Sequence, residues 1–387
     1  MRFRRVHLAW RSVTHDKRRF VLSMAGIMFA AVLMFMQLGF LNAVFDSQVE
    51  LLRRLNADLV ITNSSKHHLG VNEPFGRRRL EQVRAVDGVA AAYPLYIEGT
   101  ISLWKNPVTR ESRLIRAVGV RPEDHALLNL PLEQYLSELH EEDTALIDTR
   151  SKDFFGPRER GVHTELAGQR IRVVGTFELG TDFDYDGTVI LSENNFLKFF
   201  PDQQTDPTGL GRVELGLVRV QPGRSASEVR KAIAETLPRD IRVWTKDEII
   251  AQEIYFWQVF TPVGFVFGLG LIVGFIVGVV ICSQILYTSV VDRMTLFGTL
   301  KAIGYSNAYL VRLVTSEALL LSLLSFAPAV AIAAVLYRFL VSIIGFEMFL
   351  NAQRILLVML LTVGMSMAAA LVAVRKAVTA DPAEVFK

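Results

Sequence analysis

Asp182, Asp184 and Asp186 alternate ahead of Gly187, and Glu193 follows six residues after that glycine. This is the D-x-D-x-D-G-x5-E spacing with which carboxylates ring a hard cation such as calcium, the glycine allowing the sharp turn. That chemistry needs flanking helices. Here Ile171 to Phe177 precedes the motif with strand character and Thr188 to Leu191 occupies its second half. The stretch therefore reads as a polar hairpin tip, with Asp182, Asp184, Asp186 and Glu193 as a weak calcium candidate and no metal expected. His67 and His68 are adjacent in a polar stretch and not at helical ligand spacing. The single cysteine, Cys282, lies in an apolar run, which excludes a disulfide or thiolate cluster within the chain. There is no G-x-S-x-G elbow and no G-x-x-x-x-G-K-[ST] phosphate loop, so neither a hydrolase nucleophile of that type nor P-loop ATP hydrolysis is encoded. Arg77-Arg78-Arg79 reads as the solvated start of a helix. No catalytic constellation emerges, and the chain is not expected to be an enzyme.

The elements around these residues fall into two physical classes. Of 387 residues, 51% are apolar and 21% charged, the mixture of membrane spans with a water-exposed domain. Residues 1–19 carry Arg2, Arg4, Arg5, Arg11, Lys17, Arg18 and Arg19 against Asp16, with Phe3, Val6, Trp10 and Val13 at helical spacing. This is the pattern of an amphipathic segment on the cytoplasmic leaflet. Residues 20–45 are free of charge and, at 1.5 Å per residue, reach about 39 Å as a helix, enough for an uncleaved first span. Further apolar runs place a second span within 259–287, a third at 318–337 with Pro328 inside it, and a fourth at 355–374. Four crossings from a basic, cytoplasmic N-terminus leave residues 288–317 and the tail 375–387 in the cytoplasm and 338–354 as a short outer loop.

Residues 46–258 form the remaining block. It is net acidic while the rest of the chain is basic, which argues against nucleic-acid binding, and it is large enough for its own core. Its periodicities alternate between classes. Strands are expected at Ala57 to Thr62, Val89 to Tyr93, Leu114 to Val120 and Ile241 to Thr245, and helices at Ser47 to Leu55, Arg78 to Val86 and Ser225 to Leu237. The fold class is thus a membrane protein of four transmembrane helices, one plus three, with a large α+β periplasmic domain between the first two. Similar units at both ends of the block suggest one subdomain, 46–120 plus 212–258, into which 121–211 is inserted.

The layout and four stretches carry a resemblance. They are Phe35-Met36-Gln37-Leu38-Gly39-Phe40, Asn56-Ala57-Asp58-Leu59-Val60, Val174-Gly175-Thr176-Phe177 with Asp186-Gly187, and Thr299 to Tyr305; Asp381 to Val385 adds a family-like ending. The chain resembles the MacB and FtsX-like permease family of ABC transporters, most closely its DevC branch of glycolipid-type exporters. The resemblance implies that Leu296, Thr299, Leu300, Lys301, Ala302, Ile303, Gly304 and Tyr305 form a coupling segment for a separate cytoplasmic ABC ATPase. ATP and magnesium would be held by that partner and no cofactor by this chain. Where the family usually carries an acid, this sequence has Leu296; the nearest acid is Asp292.

Gly264, Gly268, Gly270, Gly274 and Gly278 give small-xxx-small spacing along the second span. Such faces permit close helix approach, either to a second permease copy in a homodimer or within one chain. The expected function is export of a hydrophobic or amphiphilic cargo from a bacterial inner membrane, through a periplasmic adaptor and an outer-membrane channel. The alternatives are an FtsX-like mechanical regulator of a periplasmic hydrolase and a lipoprotein-extracting permease.

Overall fold

The computed structural model describes residues 17–130, 132–201, 211–344 and 347–379. The amphipathic N-terminal pattern of Phe3, Val6, Trp10 and Val13 and the Asp381 to Val385 ending lie outside these residues. In chain order the helices and strands are α1 (Lys17–Arg54), β1 (Leu59–Asn63), β2 (Phe75–Gly76), α2 (Arg78–Arg84), β3 (Val89–Glu98), β4 (Leu103–Lys105), β5 (Ser112–Leu114), β6 (Arg116–Val120), α3 (Leu136–Leu139), β7 (Thr144–Asp148), β8 (His163–Leu166), β9 (Gln169–Phe177), β10 (Thr188–Ser192), α4 (Glu193–Phe199), β11 (Arg212–Val213), β12 (Leu215–Val220), α5 (Ala226–Thr236), β13 (Ile241–Thr245), α6 (Lys246–Val259), α7 (Pro262–Val291), α8 (Met294–Ala302), α9 (Asn307–Ile344) and α10 (Ala352–Thr379). The chain divides into two units. One comprises residues 44–262 with 344–347; the other holds the remaining parts of the chain.

The α+β unit is built on one sheet in the order β13-β1-β12-β3-β6-β10-β7-β9-β8-β4-β5. Alternation along a strand sends successive side chains to opposite faces, so one strand serves two cores. Leu59 and Ile61 of β1 join a core with Leu80 and Val83 of α2 and Val229 and Ile233 of α5. Val60 between them joins the other core, with Leu51, Leu52 and Leu55 at the end of α1 and Ile249 of α6. Gly88, in the turn between α2 and β3, takes φ +89, a conformation that costs glycine little.

The two ends of the block do meet: β1, β12 and β13 are antiparallel neighbours, with Val60 opposite both Leu217 and Trp244. The division at residue 120 does not separate the strands. β4 and β5 precede it, yet β4 pairs with β8 at the far edge of the sheet, Trp104 opposite Leu166. The cause is Trp104, fully buried and donating from Nε1 to the Phe155 carbonyl at 3.1 Å, which anchors the hairpin among the later strands.

The C-terminal end of α1 is closed by side chains and neighbouring backbone. A helix leaves its last carbonyls without intrahelical donors. Here Lys246 Nζ donates to the carbonyls of Arg53 (2.9 Å) and Leu55 (2.6 Å), and Leu128 N–H donates to that of Arg54 (2.6 Å). Thr245 and Glu248 close the start of α6 with a capping box.

Among the described residues, four helices are long and apolar enough to cross a membrane, in α1, α7, α9 and α10. Their lengths depart from the charge-free runs. α9 extends from Asn307 to Ile344, past both ends of 318–337. A hydropathy run marks only the stretch without charges, whereas the helical hydrogen-bond ladder tolerates charged residues at its ends. A break precedes the second span: α6 ends at Val259 and α7 begins at Pro262, a residue suited to a first helical position. α1 packs on α7 and α9 through close approaches. The Tyr337 hydroxyl donates to the Phe35 carbonyl at 2.5 Å, and a Cβ on Gly39 would fall 2.3 Å from that hydroxyl oxygen.

Candidate functional site

The segment between α7 and α9 is a short helix held at its base and open at its tip. Helix α7 ends in a turn in which Arg293 N–H donates to the Val290 carbonyl at 3.1 Å. Arg293 Nη1 then reaches Glu317 Oε2 of α9 at 3.1 Å, and the Ser289 hydroxyl lies 3.4 Å from the other carboxylate oxygen. Glu317 is buried. Glu317 directly precedes the apolar run 318–337, and the structure makes it the partner of Arg293. The signal was the pairing of one basic turn with one acid a short helix later, which spacing alone does not reveal.

Helix α8 is anchored by Phe297, which is 2% exposed and packs in the core of the membrane unit with Val290, Leu310 and Val314. Its end is a Schellman motif. Tyr305 N–H donates to the Leu300 carbonyl at 3.0 Å, Gly304 N–H donates to the Lys301 carbonyl at 2.9 Å, and Gly304 has φ +100. No atom lies within 4 Å of a Cβ placed on Gly304, so backbone conformation and not space selects glycine there. The Tyr305 and Tyr309 rings pack at 4.6 Å between centroids across the turn into α9.

Of the residues the sequence singled out, Leu296 (51%), Ile303 (70%) and Tyr305 (44%) are exposed. Ala302 and Gly304 are exposed with them; Thr299, Leu300 and Lys301 are half-buried. Leu300 packs on the membrane core and the Thr299 hydroxyl donates to the Thr295 carbonyl at 2.8 Å. The tip thus offers an apolar surface on a conformationally fixed turn, a shape for a rigid contact with another protein.

The glycine face of α7 is largely used inside the chain. A Cβ on Gly270 would fall 2.5 Å from Gln37 Oε1; on Gly278 it would fall 2.4 Å from Met365 Sδ and 3.1 Å from Ala30 Cβ; on Gly274 it would meet Met34 at 3.6 Å. Within the chain, Gly270, Gly274 and Gly278 seat side chains of α1 and α10. Gly268 has nothing within 4 Å. Gly264 shares its face by the four-residue helical spacing.

The calcium spacing does not assemble. Asp182 is engaged by Arg116 at 2.5 Å and accepts the backbone N–H groups of Asp184 and Tyr185 at 3.0 and 2.8 Å. Glu193 is held elsewhere, by Arg77 (2.6 Å), the Tyr96 hydroxyl (2.6 Å) and Arg121. Among the described residues no group of three His, Cys, Asp or Glu is placed to hold a metal. His68 stacks on Phe256, 4.0 Å between centroids, and Arg79 pairs with Asp240 at 2.8 Å.

A span followed by an α+β domain and three more spans defines a polytopic membrane protein with an inserted extramembrane domain. Residues 20–236 match the family of the MacB-like periplasmic core domain, and residues 265–382 match the FtsX-like permease C-terminal family. The chain belongs to the MacB/FtsX-like family of ABC transporter permeases. Among its relatives, two strains of Mycobacterium tuberculosis carry an uncharacterized ABC transporter permease 25% identical over 314 residues, covering 81% of this chain and 79% of theirs. Similar solved structures include the periplasmic region of MacB from Actinobacillus actinomycetemcomitans (15% identity, TM-score 0.36, 52% of this chain and 95% of that one). Another is the extracellular domain of the ABC-type transporter YknZ from Gram-positive bacteria (15% identity, TM-score 0.34, 49% and 100%).

Proposed function

We propose that this permease carries the movement of a separate cytoplasmic ATPase to its periplasmic domain, and so drives export of a hydrophobic or amphiphilic cargo. The observation that carries the reading is the tip formed by Leu296, Ile303 and Tyr305 on a turn fixed by Gly304, with Phe297 and the Arg293–Glu317 pair joining it to α7 and α9. A push on that tip reaches both helices through packed and ion-paired contacts. The ATPase holds ATP and magnesium; the sequence of this chain contains no phosphate loop. Lys and Arg placement supports a cytoplasmic position for both termini and the tip.

A second copy completes the exporter, and the α7 face bearing Gly264 and Gly268 is the surface still open to it. The resemblance to the DevC branch supports a glycolipid-like cargo handed to a periplasmic adaptor and an outer-membrane channel. The test is affinity purification of the full chain from its host in mild detergent, wild type beside Ile303→Asp and Leu296→Asp. Wild type brings down a P-loop ATPase and the two variants lose it while keeping their melting temperature. Retention of the ATPase by both variants overturns the assignment of the tip. Recovery of a murein hydrolase in place of an adaptor favours the mechanical-regulator alternative.

A further inference from the structure

One buried carboxyl of the α+β unit is held by neutral donors only. Glu253 of α6 is 3% exposed. Its Oε2 accepts the Leu69 backbone N–H at 2.8 Å and its Oε1 accepts Trp257 Nε1–H at 3.1 Å. Leu69 belongs to the loop between β1 and β2, so the carboxyl ties that loop to α6. The cation of the same loop, Lys66, is taken up by Glu214 and by the Val71 carbonyl at 2.5 Å. A cavity of about 20 Å³ adjoins the carboxyl, lined by Leu52, Lys66, His68, Ile249 and Gln252. That is room for one water, the kind of path by which a proton reaches a buried acid.

The charged and titratable groups around Glu253 come from every element packed on it. The β1–β2 loop supplies Lys66, His67 and His68; the 180–187 loop supplies Asp184; Glu214 and, behind it, Glu98 face Lys66; α1 supplies only the apolar Leu52. Burial pushes the Glu253 carboxyl up to about 7, and the charge of Asp184 adds to the push, against the two N–H donors and Lys66.

We propose that Glu253 is a proton-binding latch: protonated, it keeps α6 docked on the β1–β2 loop, and loss of the proton drives that contact open. When α6 lifts from the loop, water reaches the carboxyl and it returns to its ordinary value of 4.5. Between that value and about 7 the docked form binds one proton more than the open form. Rising pH therefore favours opening, by up to about tenfold per pH unit, and the effect levels off above about pH 7. Glu214, raised by burial, and Asp184, raised by burial and by Asp182 to about 6, act in the same direction. His68, lowered by burial and by Lys66 and His67, acts in the opposite direction below 6.5, since the released imidazole takes up a proton more readily. Comparison with a variant at residue 253 separates Glu253 from the other three.

The experiment is hydrogen–deuterium exchange on the full chain in nanodiscs, with protection factors corrected for intrinsic exchange, following peptides over 66–73 and 249–258. Between about pH 5.5 and pH 7, wild-type protection falls roughly tenfold, and Glu253→Gln, which mimics the protonated side chain, stays protected with only the residual Asp184, Glu214 and His68 dependence. Equal protection in both proteins at every pH overturns the latch. Infrared titration of the wild-type carboxyl band is the second measurement. A carboxyl titrating near neutrality, moved upward by Trp257→Phe through loss of one donor, supports it. Absence of such a band, or no movement in Trp257→Phe, overturns it.

Discussion

Arg293 and Glu317 are joined at 3.1 Å across the turn that separates α7 from α9, with the Ser289 hydroxyl as a third member. The pair ties the last turn of one membrane helix to the next through side chains, while Phe297 ties the intervening short helix to both. Removing one charge leaves the other partly buried without its partner, which costs more than the pair contributes. Glu317→Ala is expected to lower stability by about 1–3 kcal/mol, and Glu317→Ala with Arg293→Met to recover part of that loss. Thermal melts of the detergent-solubilised chain measure it. A double variant no better than the single one would show that the two side chains act independently.

Gly304 sits at φ +100 in open space, so its requirement is one of backbone conformation. Asparagine adopts left-handed conformations at lower cost than β-branched residues. Gly304→Asn is therefore expected to keep export coupled to ATP hydrolysis, and Gly304→Val to lose about 1–3 kcal/mol of local stability and with it the coupling. Export per ATP hydrolysed in reconstituted vesicles reads this out. Equal performance of the two variants would place the contact surface elsewhere on α8.

The helices and most strands were legible because their signals are local. The charge-free runs gave the spans, and Ala57 to Thr62, Ile171 to Phe177 and Ile241 to Thr245 gave strands that overlap the observed ones, the first running over Leu59–Asn63. Strand β7 escaped because all of Thr144–Asp148 is buried and nothing alternates. Strand β12 escaped for a similar reason: Leu215 to Val218 are buried in succession, and alternation is lost. The placement of β4 beside β8 depends on Trp104 meeting the Phe155 carbonyl, a contact between residues far apart in sequence. At the α8 turn, glycine and its neighbours were readable as a turn; the Arg293–Glu317 pair was not, since it needs the angle between two helices. The glycine stripe was readable as a packing surface, and its partner was not, because close approach looks the same in sequence whether the neighbour is α1 or a second copy.

That ambiguity yields a paired test. Leucine at Gly278 would drive into Met365 and Ala30, and overpacking of this kind costs about 1–3 kcal/mol. Leucine at Gly268 meets nothing within the chain. Gly278→Leu is expected to lower the melting temperature of the isolated chain, and Gly268→Leu to leave it unchanged while weakening self-association in native mass spectrometry. Intact dimers in Gly268→Leu would remove the open α7 face from consideration as a homodimer surface.

The end of α1 gives the last test. Its final carbonyls belong to Arg53, Arg54 and Leu55, and Lys246 satisfies the first and third with one ammonium group. Lys246 is half-buried, and burial lowers its pKa from the usual lysine range, so the charge is retained there at some desolvation cost. Lys246→Met keeps the aliphatic length and removes the donors, which leaves two carbonyls short of a partner and costs about 1–2 kcal/mol. Lys246→Arg keeps donors and charge and is expected to recover most of it. Because the lowered lysine pKa leaves the unfolded state holding more protons than the folded one as pH nears the ordinary lysine range, the stability contributed at Lys246 rises with pH there. Melting curves of the full chain at about pH 7 and pH 9.5 should therefore show the gap between wild type and Lys246→Met widen at the higher pH. A gap that stays constant would mean that the methylene packing of Lys246, and not its ammonium, closes the helix.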